Sequence, residues 1–256
     1  MRSFLVPPAS WGDQLLLSPD EARHALKVLR LKPGAEIRCV DGHGREVLAR
    51  IEQLSPEGGV AIPVSSVMTT PRQAQRLVGQ GLPKGDKLDD ILQHGTELGM
   101  DTLWPLKLER CVVKLDPEKA EGRRARWQRI CSEAAKQSRR SEVPNVAPPA
   151  GLGSFLEAFR ELSAPRLGVV LDEARAGVCS LPALLETETG AEVLKRGSLW
   201  ALVGPEGGLS RAEVQAASDA GFVPVSLGPR ILRTETAALS LLAMLDYASA
   251  RLEGQA

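Results

Sequence analysis

Two short stretches of this chain concentrate residue types that could do chemistry. Gly204-Pro205-Glu206-Gly207-Gly208 places three glycines in five residues around one carboxylate, so its backbone can take positive φ and approach a ligand closely. Downstream, Gly228-Pro229 makes a second tight turn. Ile231-Leu232 then leads into Arg233-Thr234-Glu235-Thr236, four polar residues at the mouth of a helix. Such groups offer close backbone contact with a bound molecule, beside one acidic and one basic side chain. Phosphate chemistry is not favoured, because no Gly-Lys-Ser/Thr closes the first turn and it is not the G-x-G-x-x-G fingerprint.

The elements that must position these turns can be read around them. Leu199 to Val203 is an apolar, strand-like run stopped by glycine. Ser210 with Glu213 three residues on has the form of a capping box at a helix start. Phe222 to Leu227 is a second short strand, and an apolar helix follows the second turn almost to the end of the chain. Two strands, each feeding a glycine-bearing turn and then a helix, build a crevice at the carboxyl ends of an α/β sheet, where such folds bind ligands. Taken singly, either turn also reads as an ordinary strand-to-helix connection.

VGPEGGLSRAEV followed by LGPRILRTETAAL resembles the signature of the SPOUT class of RNA methyltransferases, and more narrowly the RsmE family, which methylates N3 of a uridine in 16S ribosomal RNA. The resemblance implies an α/β fold: a SPOUT-type parallel sheet with a C-terminal trefoil knot, plus a small N-terminal PUA-like β-barrel domain. It implies S-adenosylmethionine as cofactor and a homodimer, with each pocket near the partner subunit. Carried over residue by residue, it places Leu171, Val203, Gly204, Pro205, Gly207, Leu227, Gly228, Ile231, Leu232 and Thr236 at the cofactor, and Glu206 and Arg233 at the reaction. Arg233 would stabilise negative charge on the uracil oxygens, and Glu206 would act as base or fix the pocket's position. Structural readings of both stay open: Glu206 bonding amides around its own turn, Arg233 pairing with Glu235 or Glu206.

The 256 residues permit one large domain or two smaller ones, and 43% hydrophobic residues suffice for a core. A formal net charge of +0 gives no global attraction to nucleic acid, so an RNA site has to come from local segregation of charge. Cys39, Cys111, Cys131 and Cys179 are scattered without C-x-x-C pairing and read as reduced thiols of a cytoplasmic protein, with no metal site. The opening MRSFLVPPAS is too short and proline-broken for a signal peptide, and no apolar run reaches membrane length.

Residues 1–71 read as short strands and turns, with the boundary at Pro71-Arg72-Gln73 and the methyltransferase domain over 72–256. Ala35 to Val40 and Glu46 to Glu52 form a hairpin about Asp41-Gly42-His43-Gly44, and a helix runs from Ser18 to Leu31. On that helix His24, Lys27 and Arg30 fall three apart and share a face, which is a solvated basic face or a phosphate contact. HALKVLRLKPG matches the family's RNA-binding domain, and the resemblance favours the contact, which would hold RNA without reading its bases. Leu77 to Leu82, a helix over Leu88 to Leu98 and a strand over Thr102 to Leu106 predict a parallel β-α-β unit. In the turn between, Lys84 is a candidate phosphate contact, as is Lys87. Glu118 to Glu142 is the most basic stretch, with eight Lys or Arg against four Glu. Within it AAKQSRRSEVP resembles the family's segment beside the active site, and Gln137 and Arg140 match its pattern. The implied partner is 16S rRNA within the small ribosomal subunit, with no membrane. Two other readings remain at this point: a SPOUT enzyme acting on ribose 2′-OH or another base, and a non-catalytic RNA-binding module.

Overall fold

The structure, a computed structural model, describes residues 3–69, 74–172 and 179–254. The expected boundary at Pro71-Arg72-Gln73 lies outside them. The chain forms two compact units, Met1–Arg72 with Ser132–Val143, and Gln73–Cys131 with Pro144–Ala256.

The first unit is a curled six-stranded sheet with strands β1 (Ser3–Leu5), β2 (Leu15–Leu17), β3 (Glu36–Val40), β4 (Arg45–Ser55), β5 (Gly58–Pro63) and β6 (Met68–Thr69). Its order is β1-β3-β4-β5-β2, with β6 also on β4. β3 and β4 pair antiparallel through the Asp41–Gly44 turn, and the alternation of Ile37, Cys39, Val47, Ala49 and Ile51 supplies its core. Asp41 fixes that turn by accepting from the amides of His43 and Arg45 at 2.8 and 2.9 Å and from the Arg45 guanidinium at 2.7 Å.

The helix expected from Ser18 to Leu31 takes a different form. An α-helical turn, α1 (Pro19–Arg23), capped by the Ser18 hydroxyl, passes into a π-helical turn over His24–Val28. Leu29 donates to the His24 carbonyl at 3.1 Å, and Leu31 reaches back to that of Ala25 at 2.9 Å. Arg30 sits beyond the helix at φ 54°, so it does not share a helical face with His24 and Lys27. The apolar residues explain the correction: Ala25 is buried and Leu29 and Leu31 pack on the first core, which draws the chain back before another α-turn can form.

The second unit is an eight-stranded parallel sheet. Its strands are β7 (Gln75–Gly81), β8 (Thr102–Lys107), β9 (Asn145–Val146), β10 (Ala150–Gly151), β11 (Arg166–Leu171), β12 (Cys179–Ser180), β13 (Ser198–Val203) and β14 (Phe222–Ser226). The order is β10-β8-β7-β13-β11-β14-β12, with β9 also on β8. Central strands buried on both faces read as continuous apolar runs, as Leu199–Val203 does. The proline-rich stretch after Asn145, which resembles a linker in sequence, supplies edge strands β9 and β10 instead; prolines are tolerated at an edge. Helices α2 (Lys87–Glu97), α3 (Pro117–Ser138), α4 (Leu152–Arg160), α5 (Leu181–Leu185), α6 (Glu188–Arg196), α7 (Arg211–Asp219) and α8 (Thr234–Leu252) complete the chain. α2 buries Leu88, Ile91, Leu92, Gly95 and Thr96, a stripe at helical spacing. α8, apolar nearly all round in sequence, buries one stripe of Ala238, Leu241, Leu242 and Leu245, while Tyr247 is exposed. No helix among the described residues is long and apolar enough to cross a membrane.

Candidate active site

Strands β11, β13 and β14 are neighbours in the sheet and run parallel, so their carboxyl ends open on one side. There lies a cavity of about 560 Å³, lined by Val203–Leu209 and Val225–Thr234 together with Leu171, Asp172, Lys87, Arg110 and Ala237. It falls in the range of roughly 300–1,000 Å³ usual for small-molecule sites. The two turns singled out by their glycines are its two walls.

The first turn depends on its glycines. Gly208 lies at φ 69°, and a Cβ on Gly204 would stand 2.9 Å from the Gly208 carbonyl carbon. Beyond it the capping box forms. Ser210 Oγ accepts from the Glu213 amide at 3.3 Å, and Glu213 Oε2 accepts from the Ser210 amide at 2.8 Å. The other oxygen of Glu213 accepts from the amide of Glu109 at 2.8 Å, which ties the turn after β8 to the start of α7.

A buried polar knot of hydrogen bonds joins the two walls. Thr234 Oγ1 donates to the Gly204 carbonyl at 2.6 Å, and the carboxamide of Gln80, fully buried in β7, donates to Thr234 Oγ1 at 2.8 Å and to the Gly204 carbonyl at 3.3 Å. Neither Gln80 nor Glu213 was singled out from sequence as a site residue. A glutamine inside the apolar run RLVGQGL was the available signal, because a polar residue at a buried strand position has to be bonded to something.

Glu206 does not bond only its own turn. Its Oε1 accepts from Lys87 Nζ at 2.7 Å and from the backbone amide of Lys84 at 3.0 Å. Burial pushes its carboxyl up, but those hydrogen bonds and the Lys87 charge outweigh burial and hold it below the usual carboxylate value. A carboxylate held this way is a weak proton acceptor at neutral pH. Lys87 also stands 3.8 Å from Glu235 Oε2. Both carboxylates that could have paired with Arg233 are therefore engaged by Lys87. Arg233 itself is the exposed N-cap residue of α8, lines the cavity, and makes no ion pair with another described residue.

Of the residues expected at the cofactor, Leu171, Val203, Gly204, Pro205, Gly207, Leu227, Gly228, Ile231 and Leu232 line the cavity together. Thr236 does not: it is exposed on α8, and Thr234, two residues earlier and so on another side of the helix, faces the site in its place. Arg110, not expected, lines the cavity and donates to the Gly207 carbonyl at 3.0 Å. Of the residues expected at RNA, Lys84 meets the site through its amide, its side chain being exposed. His24, Lys27, Arg30, Gln137 and Arg140 all belong to the first unit, where Lys27, Arg30 and Gln137 are exposed. Lys136 pairs there with buried Glu21 at 2.8 Å, fixing the end of α3 to α1.

S-adenosylmethionine fits the donor set of this cavity. The backbone groups of Ile231 and Leu232 make no hydrogen bond to another described residue and are available to the polar edges of a purine. Carboxylates and guanidinium groups at the rim suit an amino-acid moiety. Among the described residues no cluster of three or more His, Cys, Asp or Glu could hold a metal ion.

Residues 70–246 match the family described as an RNA methyltransferase domain, and residues 17–63 that of an RNA methyltransferase PUA domain. Ribosomal RNA small subunit methyltransferase E of Bacillus subtilis (strain 168) is 33% identical over 93% of this chain and 91% of its own length. A crystal structure of a ribosomal RNA small subunit methyltransferase E from Neisseria gonorrhoeae bound to S-adenosyl methionine superposes with a TM-score of 0.81, at 33% identity over 96% of this chain and 97% of that one. A methyltransferase from Legionella pneumophila in complex with the bound cofactor has the same TM-score at 30% identity, covering 97% of this chain and 98% of its own.

Proposed function

We propose, because this chain belongs to the ribosomal RNA small subunit methyltransferase E family of RNA methyltransferases, that it methylates N3 of a uridine in 16S rRNA of the small ribosomal subunit with S-adenosylmethionine. The observation that carries the reading is the cavity at the strand ends, with both glycine turns as its walls and Glu206 and Arg233 at its rim. The bound cofactor supplies an electrophilic methyl group on a sulfonium.

The chain's own residues have three tasks. The turn backbones from Val203 to Gly207 and from Leu227 to Leu232, with Leu171 on a third side, hold the cofactor's purine and amino-acid parts. The target base is splayed out of its strand, since N3 is hidden when paired, and is held in line with the methyl group. Arg233 stabilises the negative charge that spreads to the uracil oxygens as the N3 proton passes to water. Glu206, ionised and bound by Lys87, fixes the pocket rather than taking that proton. The basic residues His24, Lys27, Arg30 and Arg140, with the neutral amide of Gln137, contact RNA phosphates, and Lys84 is a further contact from the second unit.

Three further features belong to the same proposal. The domain division is 1–71 and 72–256, the crossing of the two turns is a trefoil knot, and the enzyme is a cytoplasmic homodimer through α8. Exposed Tyr247 and the half-buried Leu239 and Met244 on that helix support the last.

The test is methyl transfer from labelled S-adenosylmethionine to small subunits lacking the modification, followed by nucleoside mass spectrometry. Appearance of 3-methyluridine is expected. Label on a ribose or another base would keep the methyltransferase and overturn the site of modification.

A further inference from the structure

This inference rests on the cofactor reading above. We propose that Lys87 is a positioning residue for the cofactor: its ammonium group bridges one carboxylate from each turn and so sets the spacing of the backbone groups that line the pocket. Lys87 opens α2 and lies in the cavity wall, with Nζ 2.7 Å from Glu206 Oε1 and 3.8 Å from Glu235 Oε2. Glu206 belongs to the first turn, and Glu235 follows the second in the opening turn of α8. The three side chains are 32%, 31% and 18% exposed, so solvent screens their charges only in part.

Glu235 makes the case stronger than Glu206 alone. Its Oε2 is buried without a hydrogen bond in the structure, and the Lys87 ammonium is the charge that faces it. Remove that ammonium, and the buried Oε2 of Glu235 is left uncompensated while Glu206, from the opposite wall, loses its charged partner and keeps the Lys84 amide; this is a costly arrangement. The walls relax by moving apart, which misplaces the backbone of Val203–Gly207 relative to that of Leu227–Leu232. A phosphate contact, the role Lys87 suggests in sequence, suits it less well here, since two carboxylates already offset its charge.

The test measures binding of S-adenosylhomocysteine by titration calorimetry, with turnover followed separately. Lys87→Met is expected to weaken binding about tenfold, and Lys87→Arg, which keeps the charge, to stay within about threefold of wild type. In turnover the Lys87→Met change falls mainly on KM for S-adenosylmethionine and less on kcat. Because Lys87 and Glu206 act through one contact, the double variant Lys87→Met/Glu206→Gln is expected to bind no worse than Lys87→Met. Wild-type binding by Lys87→Met, an equal loss in Lys87→Arg, or losses that multiply in the double variant would each overturn the role. If wild type itself binds neither molecule, the cofactor reading fails first and takes this inference with it.

Discussion

The cavity of the second unit and the basic surface of the first hold their charges in opposite ways. At the cavity, Glu206 and Glu235 meet Lys87, Glu213 accepts two backbone amides, and Thr234 and Gln80 bond across the walls, so most polar groups are set before any ligand arrives. In the first unit, Lys27 and Arg30 are exposed and make no ion pair with another described residue, and Arg30 and Arg139 are the described non-glycine residues at positive φ. The difference matches two kinds of work. A small cofactor is selected by fixed geometry, whereas a phosphate backbone is met by charges that are free to pair with it.

The largest expected effect tests the reaction end of that comparison. Arg233→Ala should lower kcat by about 100- to 1,000-fold, as loss of a charge-stabilising group does, with cofactor affinity within about threefold of wild type. Single-turnover methyl transfer beside calorimetry checks both halves. An affinity loss as large as the rate loss would make Arg233 a cofactor residue.

Next comes the knit between the walls. Thr234→Val removes the hydroxyl that donates to the Gly204 carbonyl and accepts from Gln80, leaving that buried carbonyl with only the longer 3.3 Å bond from Gln80. It should destabilise the protein by about 1–3 kcal/mol, seen as a lower denaturant midpoint at unchanged slope. Thr236→Val, exposed and outside the cavity, should change stability and cofactor affinity little, within about 0.5 kcal/mol.

On the basic surface, Lys27→Ala and Arg30→Ala should each weaken RNA binding uniformly across sequences and lower the salt slope of affinity by about one. Cofactor binding should not change. A sequence-selective loss would mean that these residues read bases, and would erase the contrast drawn above.

The smallest effect concerns pH. The carboxyl of Glu206 is lowered by its bonds to Lys87 and Lys84 in excess of what burial raises it. A depressed folded-state value contributes stability that is present above the ordinary carboxylate range and lost as pH falls through the lowered one. Cofactor affinity should thus hold from neutral pH down through the usual carboxylate range and weaken only below it. Glu206→Gln should remove that acid limb, which a titration series would detect.

Much of the site was legible because it is contiguous in sequence. Glycines, a capping box and two apolar runs act over a few residues, and their local rules select turn, cap and strand. The resemblance added a cofactor and a reaction that no spacing could supply. Contacts made across the fold were not legible in this way. Lys87 stands more than a hundred residues from Glu206, and nothing local says that a lysine in an exposed-looking turn faces two carboxylates. Gln80 and Arg110, and the bond from the Glu109 amide to the capping-box Glu213, are illegible for the same reason. The placement of Thr234 rather than Thr236 needed the start of α8 to be known to a single residue.

By itself, then, the sequence determined the strands and helices around the two glycine turns and the β-α-β unit that opens the second unit, where those turns fall, and which family the whole resembles. These follow from periodicity and residue chemistry, which act within one segment. The tertiary structure alone decided the sheet order that brings β11, β13 and β14 together and the pairing of Lys87 with both carboxylates. It also decided the fate of the first unit's helix, where burial of Ala25 and packing of Leu29 and Leu31 override the α-helical spacing and turn Arg30 away from its neighbours. Helical spacing is a weak preference, and a hydrophobic core that must close over its own residues outweighs it.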